Sequence, residues 1–267
     1  MATTVGCFLV VAASSGLALV AGLHLGQRSE AKSRVGLAVG LVLLALWAYL
    51  VRQPVVALQL IPVNLFSYIE GIGAVPIFML VVGIAWGRGQ LPRQKRTAMW
   101  ASLLGVAYLV YGGLWMLQTT PVAGFADAVE RGPIRQSQDY SCVPAACATA
   151  LNALGVYTSE AEMARLTHTR PGTGATMIRA MNGLSRRLSG TSIRVELIQP
   201  TYQQLLGIPL PALTPLQYAT TRRHMVTILD VTKDGVLIAD PVDVQMLLQR
   251  EHFEQVYCKQ VLVFRRR

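Results

Sequence analysis

The sequence predicts an all-α transmembrane region of about four helices followed by an α+β domain. Three observations predict it. Of the 267 residues, 52% are hydrophobic and only 14% charged, against roughly 25% charged in ordinary soluble domains. The charge is also unevenly spread: residues 1–117 hold 8 Lys/Arg and 2 Asp/Glu, whereas residues 118–267 hold 16 and 12. Within the second part, helical segments come first and antiparallel strands later. The border falls near Gln118–Pro121, where Gln-Thr-Thr-Pro ends an apolar run, giving a membrane region over 1–117 and a second domain over 118–267.

This composition excludes a disordered chain, a coiled coil and collagen. No stretch repeats at a solenoid period. The 4 cysteines lack metal-finger spacing and are too few for a disulfide scaffold in a chain of this length. Glycines followed by Lys-Ser or Lys-Thr are absent, which argues against an ATPase built on a phosphate loop.

In the first region, Val5–Leu25 carries no Asp, Glu, Lys or Arg. At ~1.5 Å per residue it covers about 30 Å, enough to cross a hydrocarbon core. Val35–Val51, Gly71–Trp86 and Met99–Leu117 are three further runs, the last flanked by Trp100 and Trp115 as interfacial anchors. The segment 52–70 is apolar but broken by Pro54 and Pro62, and reads as interfacial, re-entrant or an early start of the third helix. A cleaved signal peptide is disfavoured for the first run because Met1–Gly6 has no basic residue. Gly36, Gly40 and Gly112-Gly113 suit close helix packing.

Basic residues set the orientation. Arg28, Lys32 and Arg34 follow the first run, and Arg88, Arg93, Lys95 and Arg96 follow the third, whereas 52–70 has Arg52 alone. Positive charge marks the cytoplasmic side. Four spans then place both termini, and with them the second domain, outside the cytoplasm; a fifth span in 52–70 would reverse this. The net charge of +10 lies largely in these loops and in Arg265-Arg266-Arg267. There is no aromatic-interleaved basic patch, so a nucleic-acid partner is not expected.

The chemistry sits in 136–240. After the loop Gln136-Ser-Gln-Asp-Tyr-Ser, Cys142-Val-Pro-Ala-Ala begins a helix: Pro144 is tolerated in a first turn, the residues to Leu154 are strong helix formers, and Gly155 stops it. Cys142 thus lies at a helix start, where unpaired amides and the helix dipole favour an anionic thiolate. The competing view is a small buried hydrophobe. Gln136, or Gln138 in the same loop, offers a side-chain amide to an oxyanion, with the Cys142 N–H as second donor. His224–Asp230 and Gly235–Asp240 read as a hairpin joined by Lys233-Asp234-Gly235, bringing His224 and Asp240 near one end of adjacent strands. A carboxylate there holds an imidazole in the useful tautomer, so Cys142, His224 and Asp240 form a nucleophile, a base and an orienting group.

Gln136 followed by Cys142-Val-Pro-Ala-Ala, then His224-Met-Val-Thr-Ile-Leu, then Val-Leu-Ile-Ala-Asp240-Pro, resembles the peptidase C39 family over roughly 130–264. These papain-like cysteine proteases are familiar as the domain that removes double-glycine leaders from bacteriocin precursors at the front of export transporters. The resemblance implies a papain-like α+β fold, Cys142 as nucleophile, His224 as general base and acid, Asp240 as orienting residue and Gln136 as oxyanion donor. Two features depart from the family pattern. Val143 stands where a glycine usually follows the nucleophile, which bears on substrate preference, and no ATPase follows. The chain therefore looks like a standalone, membrane-tethered member, and leader cleavage coupled to export does not carry over with it.

The remaining segments fit an α+β domain. Ser159-Glu-Ala-Glu162 reads as a capping box before a helix at Met163–Leu166, Gly172 and Gly174 as turn formers, and Met177–Leu188 as a third helix. Ile193–Ile198 and Val261–Phe264 read as strands. Cys147 points to another helix face than Cys142, and outside the cytoplasm it could pair with Cys258. Cys7 has no lipobox-like context. His24, His168 and His252 lack ligand partners at useful spacing, so no metal and no cofactor is expected. The expected protein is a multi-pass protein of the bacterial inner membrane carrying an extracytoplasmic cysteine peptidase. Its partners would be a peptide or protein substrate and the lipid bilayer, with a separate transporter left open. Two alternatives are an acyl or amide transferase using the same nucleophile and a catalytically silent peptide-binding domain.

Overall fold

The computed structural model describes residues 2–117, 132–218, 223–243 and 245–266, with side-chain detail beginning at Val5 and lacking for 114–117. The predicted border at Gln118–Pro121 and the Trp115 side chain lie outside the described residues. The chain divides into two compact units, Met1–Thr119 and Thr120–Arg267.

The first unit is all helical: α1 (Ala2–Gly26), α2 (Glu30–Arg52), α3 (Pro54–Leu60), α4 (Val63–Ile69), α5 (Val75–Arg88) and α6 (Pro92–Leu117). Among the described residues, two helices are long and apolar enough to cross a membrane, Val5–Gly26 and Glu30–Arg52. The third predicted run folds as α5, whose 14 residues cover about 21 Å, short of a ~30 Å hydrocarbon core. α6 is longer, but its first turns carry Arg93, Lys95 and Arg96. The segment 52–70 resolves into α3 and α4, of 7 residues each. Pro54 starts α3 without needing an N–H, and Pro62 stands at the N-cap of α4, so the prolines divide the stretch into pieces too short to span.

Glycines set how closely these helices approach. A β-carbon on Gly22 or Gly26 would strike the backbone of α5 at Leu80 and Ile84, and one on Gly83 or Gly87 would strike the backbone of α1 at Leu19 and Leu23. α1 and α5 therefore meet main chain to main chain along two glycine pairs spaced four apart. The glycines expected to permit close packing do so against side chains instead: Gly36 faces Leu25, Gly40 Val81, Gly112 Ile72 and Gly113 Phe8. Arg88 lies 3.7 Å from Glu30, which puts the two basic turns at the same end of this unit.

The second unit runs α7 (Cys142–Ala153), α8 (Glu160–Leu166), α9 (Met177–Arg187), β1 (Ile193–Ile198), α10 (Tyr202–Leu205), β2 (Ala212–Leu216), β3 (His224–Val231), β4 (Gly235–Ala239), β5 (Met246–Gln249), α11 (Arg250–Val256) and β6 (Val261–Arg266). The strands form one six-stranded sheet in the order β1-β6-β2-β3-β4-β5, each neighbouring pair antiparallel. This is the predicted α+β layout. Leu151, Met163 and Leu184 from α7–α9 pack on one face against Leu213, Met225 and Leu262. Tyr202 and Phe253 from α10 and α11 pack on the other against Val226, Ile238 and Val263. In β6, Val261 and Val263 enter one layer while Leu262 and Phe264 enter the other. A strand covered on both faces must be apolar without alternation.

Local signals explain the helix ends. Gly155, at φ +78°, sits just past α7 in the left-handed conformation that terminates a helix. Ser159 caps α8 by accepting from Glu162 N–H at 3.1 Å. The predicted reciprocal half of that box gives way, because the Glu162 carboxylate instead accepts from Thr158 Oγ1 at 2.7 Å and pairs with Arg187 at 3.1 Å. The full box belongs to α10, between Thr201 and Gln204. All four cysteines are free thiols, so the pairing of Cys147 with Cys258 is not formed. Cys147 is instead sealed in the core beside Leu151.

Candidate functional site

The loop after residue 132 leads into α7, and the sheet supplies the groups facing it. Cys142, half-buried, is the first residue of α7 and follows Ser141 at the N-cap. The first amides of a helix have no partner within it. Val143 turns inward, 4% exposed and part of the core between α7 and the sheet. Its side chain therefore packs into the interior. Burial pushes the neighbouring Cys147 thiol far up, leaving it protonated and inert.

His224 opens β3 and Asp240 follows β4, so the hairpin brings them to one end of the sheet. His224 Nε2 lies 2.8 Å from Asp240 Oδ1. Cys142 lies near enough to the same imidazole to act on its charge, and with Nε2 held by Asp240 the ring nitrogen left for another partner is Nδ1. Burial works against a charged imidazole here. The hydrogen bond to the Asp240 carboxylate and the nearby Cys142 sulfur outweigh it, lifting the His224 pKa from 6.5 to about 9. Asp240 is buried, which by itself favours the neutral acid. The His224 bond and the main-chain N–H groups of Val242, at 2.7 Å, and Asp243 overcome this and hold the carboxyl below its usual value.

Gln136 is drawn to the same corner by its main chain, whose N–H donates to Pro241 O at 2.9 Å. Its half-buried side chain leaves Oε1 enclosed without a hydrogen-bond partner among the described residues. Gln138, the alternative in this loop, donates its main-chain N–H to Ser141 Oγ at 3.1 Å. Over His224 lies Tyr218, its ring 6.4 Å from the imidazole and 6.5 Å from His252. Burial, with Asp240 and Asp243 nearby, raises the Tyr218 phenol. His168 stands apart from this group: burial and the guanidinium groups of Arg186, Arg179 and Arg170 lower its pKa to about 4. Among the described residues no three His, Cys, Asp or Glu side chains are grouped to hold a metal ion.

Three residues around this site escaped the sequence. Glu160, read as part of a capping motif, turns its carboxylate under the 137–141 loop. The signal was its place just after the cap: the cap needs Ser159 and position 162 but assigns no task to the residue between. Tyr218 and His252 belong to segments with no sequence pattern pointing to one another.

Arranged this way, the site has a thiol at a helix start, an imidazole close to it and bonded to a buried carboxylate, and an uncommitted side-chain amide nearby. An uncharacterized protein of Methanothermobacter marburgensis is 32% identical over 134 residues, spanning 50% of this chain and 87% of that protein. Another, from Methanothermobacter thermautotrophicus, is 31% identical over the same extent. Among solved structures, a double glycine motif protease from an AMS/PCAT transporter, in complex with the leader peptide, shares 15% identity. The match covers 55% of this chain and 96% of that one, with a TM-score of 0.44. The peptidase domain of Streptococcus ComA, a bi-functional ABC transporter involved in quorum sensing, shares 15% identity over 52% of this chain and 100% of that one, with a TM-score of 0.46. The Peptidase C39 family is matched by residues 131–267, and through this half of its length the chain belongs to that family.

Proposed function

We propose that the chain is a membrane-anchored cysteine peptidase whose domain over 118–267 cleaves a peptide bond through Cys142, His224, Asp240 and Gln136. The observation that carries the reading is the His224 imidazole, bonded to the buried Asp240 carboxylate with the Cys142 thiol close by. In this mechanism Cys142 and His224 form a thiolate–imidazolium pair. Sulfur attacks the substrate carbonyl carbon, and the oxyanion is received by the Gln136 amide and the Cys142 N–H. His224 Nδ1 passes its proton to the departing amine as the C–N bond breaks, leaving a thioester on sulfur. A water molecule then loses a proton to His224 and attacks the thioester, the C–S bond breaks to release the acid, and the thiolate–imidazolium pair is restored.

The membrane assignment rests on the two apolar helices and on the basic residues gathered at one end of the first unit. That end faces the cytoplasm in this proposal. The peptidase domain then works outside the cytoplasm.

The test is Cys142→Ala in the full chain. We expect turnover to fall at least about 1,000-fold with the thermal melting curve kept, and uncleaved peptide to remain bound for identification by mass spectrometry. Full turnover by this variant would overturn the assignment of the nucleophile.

A further inference from the structure

Glu160, the first residue of α8, is completely buried, and a carboxylate is stable there only when donors surround it. Its donors come from the loop entering α7. Ser137 N–H reaches both oxygens, at 3.0 and 3.3 Å, and the Ser141 hydroxyl lies 2.5 Å from Oε1. That hydroxyl has one proton and is also 2.9 Å from the Gln138 carbonyl. The shorter, charge-assisted bond to the carboxylate takes it, and Ser141 Oγ accepts in turn from Gln138 N–H. Helix capping does not explain the placement, because Ser159 supplies the cap.

Ser137 directly follows Gln136, and Ser141 directly precedes Cys142. One buried charge therefore grips the Ser137 main chain and the Ser141 hydroxyl, beside both groups that receive the oxyanion, while Pro241 O accepts from Gln136 N–H. We infer that Glu160 is a positioning residue: its carboxylate fixes the spacing between the Gln136 amide and the Cys142 N–H, so the oxyanion meets two donors already in place. This deepens the thiol-peptidase reading and rests on it. Donors held before charge develops need no rearrangement during reaction, which is the source of their effect.

The test is Glu160→Gln in the full chain. The new amide is nearly the same size but turns N–H groups toward a loop that itself donates. We expect hydrogen exchange of residues 136–141 to quicken while β3 and β4 keep their protection. Turnover should drop, with kcat lowered about 10- to 100-fold and KM nearly constant. The rate of Cys142 alkylation by iodoacetamide, which needs the thiolate and imidazole but no oxyanion donors, should keep its value and pH profile. Combined with Gln136→Ala, the two losses should not multiply. Unchanged exchange, an equal fall in alkylation, or multiplying losses would each overturn the inference. Should Glu160→Gln fail to fold, Ser141→Ala removes one grip only, and the same pattern at smaller size is required of it. If the wild-type chain neither turns over peptide nor alkylates at Cys142, the peptidase reading fails. The exchange measurement still decides the anchor: faster exchange supports it and unchanged exchange ends it.

Discussion

His224 shows how one side chain is governed by what surrounds it. With its pKa lifted from 6.5 to about 9, the imidazole keeps its proton throughout neutral pH. The stabilisation this gives is complete below pH 6.5 and is lost as pH rises through about 9. Asp240 runs the other way: its depressed pKa contributes stability present above the ordinary carboxylate value and lost as pH falls below it. An alkaline limb near pH 9 is therefore expected in kcat/KM, where His224 must still hold the proton it gives to the leaving amine. Asp240→Asn removes the charge that opposes burial, so that limb should move down by about 1–2 pH units; a limb that stays in place would dissociate Asp240 from the imidazole. The nearness of His224 and Asp240 was legible in the sequence because the hairpin between them is short. Cys142 was legible because its helix announces where it starts. Glu160 was not, because its partners Ser137 and Ser141 precede it by about twenty residues and no periodicity links a buried carboxylate to a distant loop.

Elements were readable in proportion to how strongly their own residues chose a conformation. β1, β3, β4 and β6 are rich in Val, Ile and Leu and were read as strands. β5, Met-Leu-Leu-Gln, consists of good helix formers and becomes a strand through its register with β4, Val236 opposite Leu248. β2 contains Pro215, which argues against a central strand. Pro215 O accepts from Cys258 N–H, so the missing Pro215 N–H points to that same side of the strand. There the β6 ladder has already ended after Leu213 and Leu262, and no sheet bond is lost. Between elements, Thr227 on β3 donates its buried hydroxyl to Ala146 O of α7 at 3.0 Å. This ties the strand of His224 to the helix of Cys142. Replacing it with valine keeps the shape and removes the bond, and should lower unfolding free energy by about 1 kcal/mol in a urea titration. An unchanged midpoint would show that packing alone holds α7 to β3.

For the whole molecule, the charge asymmetry was visible from composition alone, yet the number of membrane-crossing helices was not. Hydropathy does not report where a helix will break, and α5 is cut to 14 residues by the turn that precedes it. The orientation drawn from the basic end has a direct check. In cells producing the full chain with Cys7 and Cys258 replaced by serine, an impermeant maleimide should modify Cys142 before lysis, Cys147 being buried. Modification only after lysis would reverse the orientation.

The glycine pairs between α1 and α5 carry a consequence for the fate of the N-terminal segment. Here Gly83 and Gly87 lack side chains because the first helix occupies that space. Clipping the chain after Gly26 would leave α5 with a bare furrow that no residue of its own fills. While the first helix stays in place, its main chain fills that furrow.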